Sequence, residues 1–473
     1  MASLGTGATI DVLPEDTLLD IFDFDRILES DYSKWRWDRL VHVCRRWRQI
    51  IFASPLSLRL QLRCTRSTPV GKYLGVWPPF SLAIDYDLSK GRAPNHEDNL
   101  LAALEDTDRV GLLYLCIKRP DLAKLATALR KPFPILIKLG LSLKENFAAG
   151  LPCGLLCGPM PRLQELHLNG MPFAKLPKLL LSARDLVTLH ISEVPPDGQI
   201  SPEKMAACLS TLTRLTSLSI IFHSKCFAGS GIGNEIDLAS VTPIVLPALT
   251  SIKFHGLSDY VEALLTQIEC PRLKNIDLSY LHPLLCFQMT QLFNFINRSE
   301  DRRPPALIGQ MDVILASTEI TIKFSYDVPD HIAICIRLSG LFDWDVSHIV
   351  QVCDQFSNKL SSMRRLFIDS KGRGPERPEL GRSDWLQLFK YCPFTTIQTL
   401  LISGDCVGHV ALLLEDGHLA SGLLPALELL CIQGLPMSWI ANFCAARRLS
   451  GRPVTFVRTR KEFSRKLELY RGD

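Results

Sequence analysis

One short phrase recurs along the chain and constrains its fold more than any other feature: apolar-x-x-apolar-x-apolar, often introduced by proline. It reads most clearly as Leu163-Leu166-Leu168 in PRLQELHLNG. It returns as Leu186-Leu189-Ile191, Leu215-Leu218-Ile220, Leu249-Ile252-Phe254 and Leu273-Ile276-Leu278. Further along come Met363-Leu366-Ile368, Ile397-Leu400-Ile402 and Leu427-Leu430-Ile432, and earlier Val110-Leu113-Leu115 and Leu136-Leu139-Leu141. Successive copies lie roughly 23 to 35 residues apart, except across a gap near the middle. The x-Leu-x-Leu part is a short strand whose alternate side chains enter a core, and the leucine three residues earlier belongs to the turn leading in. A unit this small buries its apolar face only against its neighbours, so several must stack.

Amphipathic helices are expected between many copies. LAKLATALR carries Leu122, Leu125, Ala126 and Leu129 at helical spacing, and YVEALLTQIE carries Val261, Leu264, Leu265 and Ile268. LLCFQMTQLFNFI, DVSHIVQVCDQFSNKL and WIANFCAARRL follow the same logic. Strand and helix alternating at this period resemble a leucine-rich-repeat solenoid over residues 109–458. The resemblance implies an α/β fold with a curved, largely parallel sheet. The pattern departs from that family in two places. Asn169 is the one copy of the usual asparagine after the strand, so the buried asparagine ladder is mostly missing. Residues 302–337 lose the phrase and read as two alternating strands, Glu319 to Tyr326 and Ala333 to Leu338, within an irregular solenoid. An α/β domain with coincidental leucines is the competing reading.

The N-terminal stretch has a different grammar. Leu18, Ile21 and Phe22 form one apolar stripe at helical spacing, and Leu40, Val43, Cys44, Trp47 and Ile51 form a second, opposite Arg45, Arg46, Arg48 and Gln49. Pro14 suits a first helical position, and Glu15 and Asp16 complement a helix N-terminus. Two short helices cannot make a sizeable core alone, so their apolar surface needs a partner. LPEDTLLDIF followed by LVHVCRRWRQII resembles the F-box, across about a tenth of the chain. That resemblance implies that Leu13, Pro14, Leu18, Ile21, Phe22, Leu40, Val43, Cys44, Trp47 and Ile51 contact, or support contact with, a Skp-family adaptor and through it a cullin. The stretch between Phe22 and Val43 is several residues longer than usual and carries Trp35 and Trp37, which is similar to F-box proteins of mushroom-forming fungi.

The expected organisation is a flexible start (1–9), the F-box (10–60), a linker and N-terminal cap (61–108), the repeats (109–458) and a basic tail (459–473). Ser81 to Tyr86 reads as a strand after Pro78-Pro79, and SKGRAPNHED as an exposed loop. The linker offers Leu62, Val70, Tyr73, Leu74, Val76, Trp77 and Phe80 for burial, which predicts a fixed link to the repeats. Arg447 and Arg448 fall in a last helical turn, with Gly451 at the C′ position, and VTFV is a last strand.

The chain has 473 residues, 47% hydrophobic and 22% charged, the profile of a globular protein. A net charge of +4 gives no argument for nucleic acid. The 15 cysteines are irregularly spaced with no CxxC pair, which points to reduced thiols in the cytoplasm or nucleus. Neither a secretory leader nor an apolar run long enough to span a membrane is expected.

No motif for catalysis or a cofactor stands out. HExxH, GxSxG, P-loop and zinc-finger spacings are absent from the sequence. The glycines of AGSGIGN, Gly229, Gly231 and Gly233, are not spaced for a dinucleotide. Cys153 and Cys157 lack a second pair to complete a zinc site. His167, His190 and His255 fall between core positions of the strand phrases and are expected on one exposed sheet face, which could bind a partner. No cofactor, metal or enzymatic activity is expected. Two readings stand: a substrate receptor of an SCF-type ubiquitin ligase whose repeats hold a target protein, or a repeat scaffold without a ligase.

Overall fold

The computed structural model describes residues 10–28, 37–55, 58, 60–65, 70–75, 80–88, 96–144, 156, 158–171, 176–195, 200–223, 243–281, 289–300, 307–316, 319–326, 331–339, 346–370, 382–391, 394–415, 423–433 and 440–459. These form a mixed α/β protein in two compact units, residues 1–146 with 151–163, and residues 147–150 with 164–473.

The first unit opens with helices α1 (Glu15–Leu28), α2 (Trp37–Leu40) and α3 (Arg45–Ala53). There follow β1 (Gln61–Cys64), α4 (Val70–Leu74), β2 (Ser81–Asp87), α5 (His96–Glu105), β3 (Val110–Ile117), α6 (Arg119–Leu125) and β4 (Lys138–Leu143). Strands β1 to β4 pair in chain order, all parallel. The alternation expected for Leu82, Ile84 and Tyr86 is present, all three buried in β2. Residues 61–64 form β1 and pair with β2. The expected loop also needs correcting, because its end, from His96, is the first turn of α5, where Glu97 and Asp98 favour a helix start.

The second unit runs β5 (Glu165–Asn169), α7 (Leu176–Ser182), β6 (Thr188–Val194), α8 (Pro202–Leu209), β7 (Ser217–Phe222), β8 (Ile244–Val245), β9 (Ser251–Gly256), α9 (Ser258–Gln267), β10 (Ile268–Glu269), β11 (Asn275–Leu281) and α10 (Thr290–Glu300). It continues through β12 (Ile308–Leu315), β13 (Glu319–Tyr326), β14 (Ala333–Ser339), α11 (Val346–Gln355), α12 (Ser357–Leu360), β15 (Arg365–Ser370), α13 (Arg382–Tyr391), β16 (Thr399–Gly404), α14 (Val407–Glu415), β17 (Leu429–Gln433), α15 (Ala441–Leu449) and β18 (Thr455–Thr459). Its main sheet has the order β5-β6-β7-β9-β11-β14-β13-β12-β15-β16-β17-β18. Ile268, expected on the helix of α9, instead begins β10, which pairs with β8.

Phrase copies in this unit pair in register with their neighbours in two runs, β5 to β11 and β15 to β17. Leu166, Leu189, Leu218, Ile252 and Ile276 stand side by side, each at least 95% buried. Full burial of such a side chain stabilises by about 1.5–3 kcal/mol. The missing asparagine ladder has a substitute at the strand entries. The Val187 carbonyl accepts from Thr216 N at 2.8 Å, Ser217 N at 3.1 Å and Thr216 Oγ1 at 3.1 Å. One repeat later the Thr216 carbonyl accepts from Thr250 N, Ser251 N and Thr250 Oγ1 in the same way. Threonine hydroxyls and paired amides thus satisfy part-buried carbonyls between successive strands.

Residues 302–337 differ from expectation. Three strands form, not two, because Met311, Val313 and Leu315 alternate into the core and make β12. Strand β13 is antiparallel to both β12 and β14. Two reversals restore the direction, so β12 joins β15 in parallel as β14 joins β11. The unit's end follows the expected stop: Gly451 has φ +73°, and its N–H and that of Arg452 donate to the carbonyls of Arg448 and Arg447. Arg447 lies in the last turn of α15, as expected; it is buried there and donates to the carbonyls of Pro425 and Leu427.

Candidate functional site

Of the residues expected to serve an adaptor, Leu18, Phe22 and Ile51 lie in the core of the N-terminal helices with Val41, Ile50, Leu58, Leu60 and Phe80. Leu13, Leu40 and Trp47 are partly buried against that core. The Trp47 ring meets Phe22 edge to face, centroids 4.8 Å apart. Arg46 donates to the Leu13 carbonyl at 2.6 Å, and Arg48 Nε to the Val41 carbonyl at 2.9 Å, which ties α3 to the chain before α1 and to the turn after α2.

The second stripe is not one helix, as its spacing suggested. Residues 41–43 form a turn, and Cys44, extended at φ −153°, is the N-cap of α3. Its Sγ accepts from Trp47 N at 3.4 Å. The break puts Val41, not Val43, into the core. Val43 is 58% exposed and Ile21 is 41% exposed, while Pro14 is also exposed. The spacing argument placed Ile21 and Val43 on buried faces; the structure turns both outward. Phe24 is 61% exposed on α1, one turn beyond Ile21, and Val12 is 70% exposed just before the helix. Neither was singled out from sequence. Phe24 could have been, because helical spacing puts it opposite Leu18 and Phe22, near the polar outward positions Asp16, Thr17 and Asp20. A module with a filled core and large apolar side chains still in water can bind another apolar surface.

The linker residues Leu62, Val70 and Phe80 are buried and Leu74 is half-buried. The side chain of Tyr73, and Val76 and Trp77, lie outside the described residues, as do Trp35, Cys153, Cys157 and the glycine-rich stretch 228–234.

A second surface lies on the sheet of the second unit. Side chains at the odd positions between core leucines face away from the core. One row across neighbouring strands reads His167, His190, Ser219, Lys253, Asp277. The rings of His167 and His190 are 5.6 Å apart. His255 lies on the same face, two residues along β9 from Lys253. Burial holds the His190 imidazole below its ordinary value, and the neighbouring His167 and Lys253 add to this. Burial does the same for His255; Glu193 opposes it, Lys253 and Arg337 reinforce it, and Glu319 opposes it.

Among the described residues, no group of three or more His, Cys, Asp or Glu side chains could hold a metal ion. No helix among them is long and apolar enough to cross a membrane. No family model matches the chain, and no curated protein matches it.

Proposed function

We propose that the chain is a substrate-receptor subunit of an SCF-type ubiquitin ligase: an F-box docked to a Skp-family adaptor, followed by irregular leucine-rich repeats that hold a target protein. The observation that carries the reading is the N-terminal module. Ile21, Phe24 and Val43 remain in water above a core that Leu18, Phe22, Ile51 and Trp47 already fill. The motif residues thus divide into supporters inside and candidate contacts outside, which is what a docking module requires. Strands paired in parallel with buried phrase leucines support the repeat reading. In this scheme the chain performs no chemistry; it supplies proximity and orientation to subunits that do.

The alternative, a repeat scaffold with no ligase, also has an observation in its favour. Leu60 and Phe80, at the entries to β1 and β2, share the core of the helical module, as a cap on the first strands would. The experiment is affinity capture of the tagged chain from lysate, with the captured proteins identified by mass spectrometry. The receptor reading requires both a Skp-family adaptor and a cullin. Recovery of neither, with the chain folded, overturns it in favour of the scaffold.

A further inference from the structure

Three side chains of the first turn of α3 reach three different parts of the N-terminal module. Arg46 Nη2 donates to the Leu13 carbonyl at 2.6 Å, in the segment before α1. The Trp47 ring meets Phe22 on α1. Arg48 Nε donates back to the Val41 carbonyl at 2.9 Å, in the turn after α2. Each of these parts carries an exposed apolar side chain: Val12 beside Leu13, Ile21 beside Phe22, and Val43 two residues after Val41. A guanidinium reaches no further than its own side chain, so Val12 and Val43 both border this one turn of helix.

The two arginines hold main chain that is otherwise weakly held. Among the described residues, no main-chain N–H donates to the carbonyl of Leu13 or of Val41. The segment before α1 closes on itself through Leu13 N and the Ile10 carbonyl, a long bond at 3.3 Å, and Pro14 has no N–H to add. The turn after α2 closes through His42 N to the Arg39 carbonyl and Val43 N to the Leu40 carbonyl, both at 3.2 Å. A charged donor makes a shorter and stronger bond to a carbonyl than a neutral one. Each guanidinium therefore pins a non-helical segment from the rigid helix beside it. Arg45, in the same turn, is exposed and donates no hydrogen bond among the described residues.

We propose that Arg46 and Arg48 are positioning residues of the docking surface: each fixes, through one main-chain carbonyl, the segment that presents an exposed valine to the adaptor. Val12, which lies outside the stretch that carries the resemblance, joins Val43 and Ile21 in that contact. The inference rests on the receptor reading and deepens it. The occupant is the adaptor because Val12 is continuous, around the first turn of α3, with the apolar residues already assigned to it. The arginines act without touching the partner. A surface fixed before the partner arrives loses less conformational freedom on binding, and that saving appears as affinity.

The test compares the full chain with Arg46→Met, Arg48→Met, Arg45→Met and Val12→Asp variants. A purified Skp-family adaptor is titrated into each at about 0.05 M and about 0.5 M salt. Hydrogen exchange of the free chains is read at the Leu13 and Val43 amides. Arg46→Met and Arg48→Met should each weaken the complex about tenfold, equally at both salt concentrations, because the lost bond is to a carbonyl of the same chain. Exchange should quicken several-fold at Leu13 in the first variant and at Val43 in the second, while the amides of α1 and α3 keep their protection. Arg45→Met should bind as the wild type does. Val12→Asp, a change in water that leaves the fold intact, should weaken the complex about tenfold without altering exchange. Full affinity in either Arg46→Met or Arg48→Met, or in Val12→Asp, overturns the proposal. So does a loss that Arg45→Met shares or that high salt abolishes, since either would set the guanidinium groups against carboxylates of the adaptor. A wild-type complex that the variants leave intact removes this inference alone, whereas no wild-type complex removes the receptor reading with it.

Discussion

Trp47 closes edge to face on Phe22, ring centroids 4.8 Å apart, and so locks α3 onto α1. The contact fixes the angle at which Ile21 and Phe24 on one helix and Val43 before the other meet water. Trp47→Ala removes the ring and leaves a gap beside Phe22, at a cost of about 3 kcal/mol to the module. Hydrogen exchange should show amides of α1 and α3 losing protection by that amount, while those of β15 to β17 keep theirs. Uniform loss across the chain would mean the module has no local stability of its own.

Glu262 on α9 predicts a pH dependence. Its carboxylate accepts from Gln291 N at 2.7 Å and Leu292 N at 3.3 Å, capping α10 from the neighbouring helix. Burial nevertheless pushes the carboxyl from 4.5 up to about 7, with Asp259 adding to the rise and the two amides opposing it. Below about 4.5 the group is protonated folded and unfolded alike. Between 4.5 and 7 only the folded state keeps the proton, so stability falls as pH rises through that window. Thermal unfolding of the wild type should show this loss, and Glu262→Gln should flatten it. An unchanged profile in the variant would assign the dependence to another group.

The repeats were legible because period-two alternation inside each phrase is a packing requirement, and it marked the buried residues of β3 to β7, β9, β11 and β15 to β17. The antiparallel insertion was only partly legible. Glu319 to Tyr326 alternates plainly, but β12 starts at Ile308-Gly309, where glycine interrupts the pattern and Pro304-Pro305 precede it. In the N-terminal module, spacing identified Leu18, Phe22, Trp47 and Ile51 but misread Ile21 and Val43. The helical period was extended across residues 41–44, where the chain turns and Cys44 caps α3. The substitute for the asparagine ladder was not legible, because Thr216 and Thr250 act through strand register rather than through a spacing in sequence.

Glu300 and Lys359 form a largely buried ion pair in the second unit, their side chains 11% and 14% exposed. Removing one partner strands the other charge. Lys359→Met should therefore destabilise by about 3–5 kcal/mol, and the double change with Glu300→Leu should recover much of it. Denaturant unfolding of the two single variants and the double variant measures the coupling. Additive losses would show that the pair contributes no net attraction.

The receptor proposal requires that the outward apolar residues of the N-terminal module hold an adaptor. Its most direct test is calorimetric titration of a purified Skp-family adaptor into the wild-type chain and into an Ile21→Asp, Val43→Asp double variant. Both positions are exposed, so the variant should unfold at the wild-type temperature. The expected result is a one-to-one complex with the wild type and at least about hundredfold weaker binding by the variant, about 2.7 kcal/mol. No complex with the wild type, or equal affinity for both chains, would contradict it.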